Sequence, residues 1–148
     1  MEVEYIAEFL RESKLSTMNW GHGVAIFIGG GLGSVARWIV GSGVSKLATL
    51  SGSVVAGAVG VLVANVLATL TLAILIFTQA EKLSGDNFWM PLLAIGFCGG
   101  FSTFSTFSFD TFKLIQSGNL IWGILNIVVS VLTCLAVAWA VYLVWGKS

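Results

Sequence analysis

The chain predicts an all-α membrane protein of four transmembrane helices, and three observations carry the prediction. It is 57% hydrophobic and only 9% charged. Its mean hydropathy is +0.96, outside the range of soluble globular chains. Its seven basic and seven acidic side chains leave four long charge-free runs, residues 15–36, 47–80, 87–109 and 114–146. A helix needs about 20 mostly apolar residues to cross the hydrocarbon, and each run is long enough. Four spans in 148 residues leave no room for a soluble domain.

Taken in order, residues 1–20 form an extension and residues 21–148 the membrane domain. In the extension, Val3, Ile6, Phe9 and Leu10 recur near helical spacing among Glu2, Glu4, Glu8, Arg11, Glu12 and Lys14. That pattern reads either as an amphipathic helix on the membrane surface or as a disordered solvated tail. Span one is expected from Gly23 to Val44, span two from Val54 to Phe77, span three from Trp89 to Ile115 and span four from Leu120 to Trp145. The first run starts too late, and stays apolar too long, for a cleaved signal peptide. Turns are expected over Lys46–Ser53, Thr78–Asn87 and Gln116–Asn119. Pro91, the only proline, falls in the first turn of span three, where its missing N–H costs little. Trp20, Trp89, Trp122 and Trp145 fall near span ends, as an aromatic belt requires. Cys98 and Cys134 match no metal spacing and read as packing residues, and lone His22 reads as an interfacial contact.

Charge leaves orientation open. With four spans both termini share a side, which carries Arg11, Lys14, Lys82 and Lys147 against Lys46, Lys113 and nearby Arg37 on the other. So slight a bias permits insertion both ways, and hence antiparallel pairing of two copies; the alternative is a cytoplasmic terminal side.

The chemistry-bearing stretch is GFCGGFSTFSTFSFD, from Gly96 to Asp110. Neutral hydrogen-bonding groups in lipid are costly and should face the bundle interior, a partner or a watery path. Asn65 and Asn126 alone would read as interhelical glue. Span three differs, because every residue from Ser102 to Ser108 is Ser, Thr or Phe. Phe101, Phe104 and Phe107 recur every third residue, a spacing that by itself means packing. The interleaved Ser105 and Thr106 donors favour a permeation surface instead. A carbonyl or acidic ring would suit a cation, and no acidic ring exists, whereas hydroxyl and amide donors beside electropositive phenyl edges suit a small anion. Gly96, Gly99 and Gly100 are expected to unwind the third helix near its middle, freeing carbonyls that could hold a cation. The spans hold no carboxylate pair, no Ser–His–Asp set, no HExxH and no phosphate loop, so catalysis is not expected.

This stretch resembles the signature of the Fluc-type (CrcB) fluoride channel family, GxxGGxTTFSTFS followed by an acid, with Ser102 for the first Thr and Asp110 for Glu. GGGLGSVAR, ending at Arg37, is similar to the family's GGxxGAxxR, and GVLVAN, ending at Asn65, to its GTxxVN. Asn126 and Ser130 fall where the family commonly has Tyr and Ser; Val61 replaces a Thr and Ala68 a frequent Gly. The resemblance runs from about Trp20 onward.

It implies a passive fluoride channel in the cell (inner) membrane that lets cytoplasmic fluoride out. The unit would be an antiparallel, dual-topology homodimer with two pores. Phe104 and Phe107 would line each pore, with Asn65 donating to the ion and Ser105, Thr106 and Ser130 forming a polar track. Asn126 would stand in the pore wall in place of a ring edge. Arg37 would lie at a pore mouth. The carbonyls of Gly99 and Ser102 from both copies would hold a structural sodium ion. Fluoride, lipid and the second copy are the expected partners, and nucleic acid is not. Two rivals remain. A small multidrug-type antiporter needs a membrane-embedded carboxylate, which spans one and two lack. A non-transporting subunit would use the Phe and Ser residues for packing alone.

Overall fold

The computed structural model describes residues 20–47, 54–83 and 88–146. The expected amphipathic or disordered extension over residues 1–20 lies outside them, except for Trp20, which opens the first helix. The elements are α1 (Trp20–Leu47), α2 (Val54–Leu83), α3 (Pro91–Cys98), α4 (Gly99–Phe101), α5 (Phe104–Gln116) and α6 (Leu120–Trp145). Elements α3, α4 and α5 make one interrupted span, so the chain has four helical stretches long and apolar enough to cross a membrane. Their order and number are those the charge-free runs predict, and α6 has the predicted bounds.

The first helix overruns its expected span Gly23–Val44 slightly at both ends, and one boundary moves further. The second helix continues through Leu83, past Phe77, and takes in residues expected as a turn. Gln79, Ala80, Glu81 and Lys82 are good helix formers, and the Thr78 hydroxyl donates back to the Ile74 carbonyl at 2.8 Å. Sequence reading ended the span where charge approached, but a helix can leave the hydrocarbon without ending.

Packing is inverted relative to a soluble protein. Ala25, Ala56, Ala58, Ala64, Ala68 and Ala73 are buried, while Phe27, Trp38, Ile121, Leu135 and Trp139 are exposed. Lipid tails are as apolar as leucine, so nothing drives large side chains inward, and small residues let helices approach closely. Ala64, Ala68 and Phe101 form the centre, with Ala36, Val40 and Phe97 around them. Ala68 is thus a packing residue. Trp20, Trp89, Trp122 and Trp145 are all exposed at helix ends, which agrees with an aromatic belt.

The glycines of span three do not unwind it. Gly96 lies in α3, which has the wider π-helical turn, and Gly99 and Gly100 form α4. Two of them serve close approach instead. A Cβ on Gly100 would strike the backbone of Gly30, and one on Gly96 would come within 2.9 Å of the Ile26 carbonyl. The third span therefore lies backbone against backbone on α1, with Gly29 and Gly33 facing Leu92 and Phe97 in the same way. The interruption comes after the glycines, at Ser102 and Thr103, which are both extended (φ −74°, ψ 157° and φ −152°, ψ 118°).

After the break α5 runs to Gln116 and ends in a tight turn. Gly118 has φ +80°, the left-handed conformation that glycine adopts freely. The Gly118 and Asn119 N–H groups donate to the Ile115 and Leu114 carbonyls at 3.1 and 2.9 Å. The chain thereby reverses within three residues, and α6 packs antiparallel on α5 and along α2.

Candidate functional site

The site is built around the break. An uninterrupted helix would give the Thr103 N–H to the Gly99 carbonyl. Here that N–H donates to Asn65 Oδ1 at 2.8 Å, and Asn65 Nδ2 donates back to the Thr103 carbonyl at 3.3 Å. One side chain of α2 therefore bonds both polar groups of Thr103, replacing the helical bond that its N–H gives up. Buried backbone groups need partners, so the carboxamide is what makes an extended residue affordable at this depth.

Thr103 also caps the helix that follows. Its Oγ1 accepts the Thr106 N–H at 3.3 Å, donates to Thr106 Oγ1 at 3.1 Å and lies 3.3 Å from Ser105 Oγ. A threonine at this position satisfies an otherwise orphaned N–H of the first turn. The three hydroxyls form one connected group, with Thr103 buried and Ser105 and Thr106 exposed on the protomer surface. Phe104 beside them is 79% exposed, and its ring lies 5.7 Å from that of half-buried Phe107, tilted by 42°.

The same geometry bears on carbonyls. The Thr106 N–H that would serve the Ser102 carbonyl is diverted to Thr103, as the Thr103 N–H is diverted from Gly99. Both carbonyls thus lose their helical donors one turn apart. Arg37, reaching across from α1, donates from Nη1 to the Ser102 carbonyl at 3.2 Å. Hard oxygens such as these suit a hard cation, and the guanidinium already exploits one of them. Among the described residues no group of three or more His, Cys, Asp or Glu could hold a metal.

A cleft of about 360 Å³ opens beside the break, lined by Ser34, Arg37, Trp38, Val61, Thr106 and Asp110 among others. Asp110 is 6% exposed and pairs with Lys113 Nζ at 2.9 Å. On α6, Asn126 Nδ2 donates to Thr111 Oγ1 at 2.8 Å, and that hydroxyl donates to the Phe107 carbonyl at 2.8 Å. Ser130 is 5% exposed, and its Oγ has no hydrogen-bond partner among the described residues.

The fold therefore gathers Arg37, Asn65, Ser102, Ser105 and Thr106 at one break, with Phe104 and Phe107 on the helix that starts there. Gly99 lies exposed one turn before it. Asn126 is tied to Thr111 on α5. Sequence reading counted Thr103 among the polar groups of span three but gave it no role as the hub of the hydroxyl group, and it did not single out Thr111 or the Asp110–Lys113 pair. Thr103 could have been found as a helix-capping threonine just ahead of a new helix, and the pair from its i,i+3 spacing. What the arrangement offers is neutral donors, ring edges and one guanidinium on an open surface.

The family model described as CrcB-like protein, Camphor Resistance (CrcB), matches residues 24–142. A Coxiella burnetii protein named Fluoride-specific ion channel FluC is 43% identical over 116 residues, 77% of this chain and 89% of the relative. The protein of that name from Escherichia coli strain K12 is 34% identical over 125 residues, covering 84% and 94%. Fluoride-specific ion channel FluC 1 of Yersinia pseudotuberculosis is 38% identical over 113 residues, covering 76% and 84%.

Proposed function

The chain belongs to the CrcB family, and from that premise we propose that it is a fluoride-selective channel through which cytoplasmic fluoride leaves the cell passively. Its relatives are named as channels, a transport class and not an enzyme class. The observation that carries the reading is the strip Phe104, Ser105 and Thr106, exposed on the protomer directly after the helix break. Hydroxyls at span depth need a wet or protein-lined surface, and the strip is not enclosed by its own chain.

A second copy encloses it in the proposed assembly, an antiparallel, dual-topology homodimer in the cell (inner) membrane with two pores. The near-balanced flanking charges support insertion both ways. In each pore the ring edges of Phe104 and Phe107 and the hydroxyls of Ser105 and Thr106 replace water around the ion. Asn65 keeps one amide hydrogen beyond the bond to Thr103 and turns it to the ion. Ser130 continues the polar track, its unpartnered hydroxyl supporting that role. Asn126 stands in the wall, where its bond to Thr111 fixes its side chain. Arg37 lies at the mouth, lining the cleft.

A structural sodium ion at the dimer centre would take the carbonyls of Gly99 and Ser102, which have lost their helical donors, with Ser102 using the lone pair that Arg37 leaves. Two carbonyls are too few for a cation, so the second copy supplies the rest. The ion would neutralise carbonyl dipoles where two breaks meet.

The test is ion flux. Liposomes carrying the purified chain and loaded with fluoride should empty within the time of an electrode recording, and chloride-loaded ones should not. Fluoride retained equally with and without protein would leave the packing-only rival standing.

A further inference from the structure

The cleft beside the break places a carboxylate on the approach to a path for anions. Helix α1 ends, α2 begins and α5 ends on one side of the bundle, so Ser45, Gly57 and Asp110 line the end of the cleft nearer those helix ends, and Thr106 and Arg37 the end nearer the break. Asp110 is almost fully buried, and its Oδ2 lies 3.6 Å from where a Cβ on Gly57 would stand. A bare carboxylate in this wall repels an approaching anion, and burial makes that repulsion long-ranged.

Lys113, one helical turn further on, answers that charge. Its Nζ lies 2.9 Å from Asp110 Oδ1, and the side chains are 40% and 8% exposed, so the ammonium reaches the carboxylate from the exposed side of α5. The same Nζ sits 4.7 Å from the centre of the Phe109 ring. A flexible lysine held by both a carboxylate and a ring face has one preferred position. With Lys113 present, two cations, Arg37 and Lys113, stand against one carboxylate around the cleft. Without it the charges only balance, and Asp110 loses its close partner.

We propose that Lys113 is a positioning residue that sets how readily anions enter this channel: by pairing Asp110 from outside the cleft lining, it makes the approach attractive to anions. It acts through Asp110 and does not line the path. The inference rests on the fluoride-channel reading, and the two fail differently.

The experiment is fluoride efflux from liposomes containing full-length chain, as wild type, Lys113→Met, Asp110→Asn and the double variant. Lys113→Met should slow efflux about tenfold, the size expected for one uncompensated charge near the path at a surface-like dielectric. Adding Asp110→Asn to it should restore efflux to within about twofold of wild type, which a merely structural role of the pair would not do. Asp110→Asn alone should match or exceed wild type. Lys113→Met at the wild-type rate, a double variant as slow as Lys113→Met, or Asp110→Asn slowed tenfold would each overturn the proposal. A wild type that passes no fluoride overturns the channel reading instead. Where Lys113→Met does not fold, Lys113→Gln, which keeps a donor for Asp110 and loses the charge, carries the same expected slowing and the same overturning result.

Discussion

At the scale of single residues, two side chains hold the break and can be separated by substitution. Asn65 bonds both polar groups of Thr103, accepting at 2.8 Å and donating at 3.3 Å. Asn65→Asp keeps the acceptor, loses the donor and adds a fixed negative charge beside the proposed path. Fluoride efflux should fall below about a tenth of wild type, because one unit charge is worth more than a decade in a poorly screened site. Thr103→Val removes the hydroxyl that caps α5 and keeps the shape. It should cost about 1–2 kcal/mol, read as a lower midpoint of thermal unfolding in detergent. Much of this was legible in sequence: the polar types and their density around Ser102–Ser108 marked the site. That Asn65 would clamp Thr103 was not, because a contact between residues 38 apart depends on helix placement, which no local spacing encodes.

At the scale of elements, the third span is both the best and the worst reading. An interruption was expected from three glycines in five residues, and one exists. Its position is set by the side chains of Asn65 and Thr103 and not by backbone freedom at the glycines. Their use is in packing: Gly100 has no room for a methyl group beside Gly30, whereas a Cβ on Gly23 meets nothing within 4 Å. Composition cannot tell a glycine that bends a helix from one that meets another backbone. Gly100→Ala should therefore push α1 from α4 and cost about 1–3 kcal/mol. Gly23→Ala, in the first turn of α1, should leave the unfolding midpoint unchanged or slightly raised. Equal midpoints for the two variants would refute close packing at this contact. Helix α6 was legible to the residue, since Asn119 and Trp145 bracket a charge-free, mostly apolar run. The end of α2 was not, because Glu81 and Lys82 signal the membrane boundary and not the helix boundary.

At the scale of the whole molecule, four spans of 148 residues leave a protomer whose polar strip faces outward. The proposed dimer gives that strip an inside. Light scattering on the purified protein should return twice the mass of the 15.7 kDa chain, and a monomer that still passes fluoride would rule out pores formed between copies. Replacing sodium by a bulky organic cation should weaken the dimer or slow its flux, since only a small cation fits between carbonyls. Hydropathy made the spans legible because lipid demands long apolar helices. Assembly was less so: near-equal flanking charges allow two orientations without requiring both.

The central claim is that ring edges and neutral hydroxyls beside the break carry the ion. Phe104→Ile and Phe107→Ile keep apolar bulk and remove the electropositive rim, so each tests it alone. Proteoliposomes with either variant, shown by gel filtration to be folded as wild type, should release fluoride at least about a hundredfold more slowly, the loss of roughly 3 kcal/mol of ion stabilisation. Wild-type release rates in both variants would contradict the account and return the phenylalanines to packing.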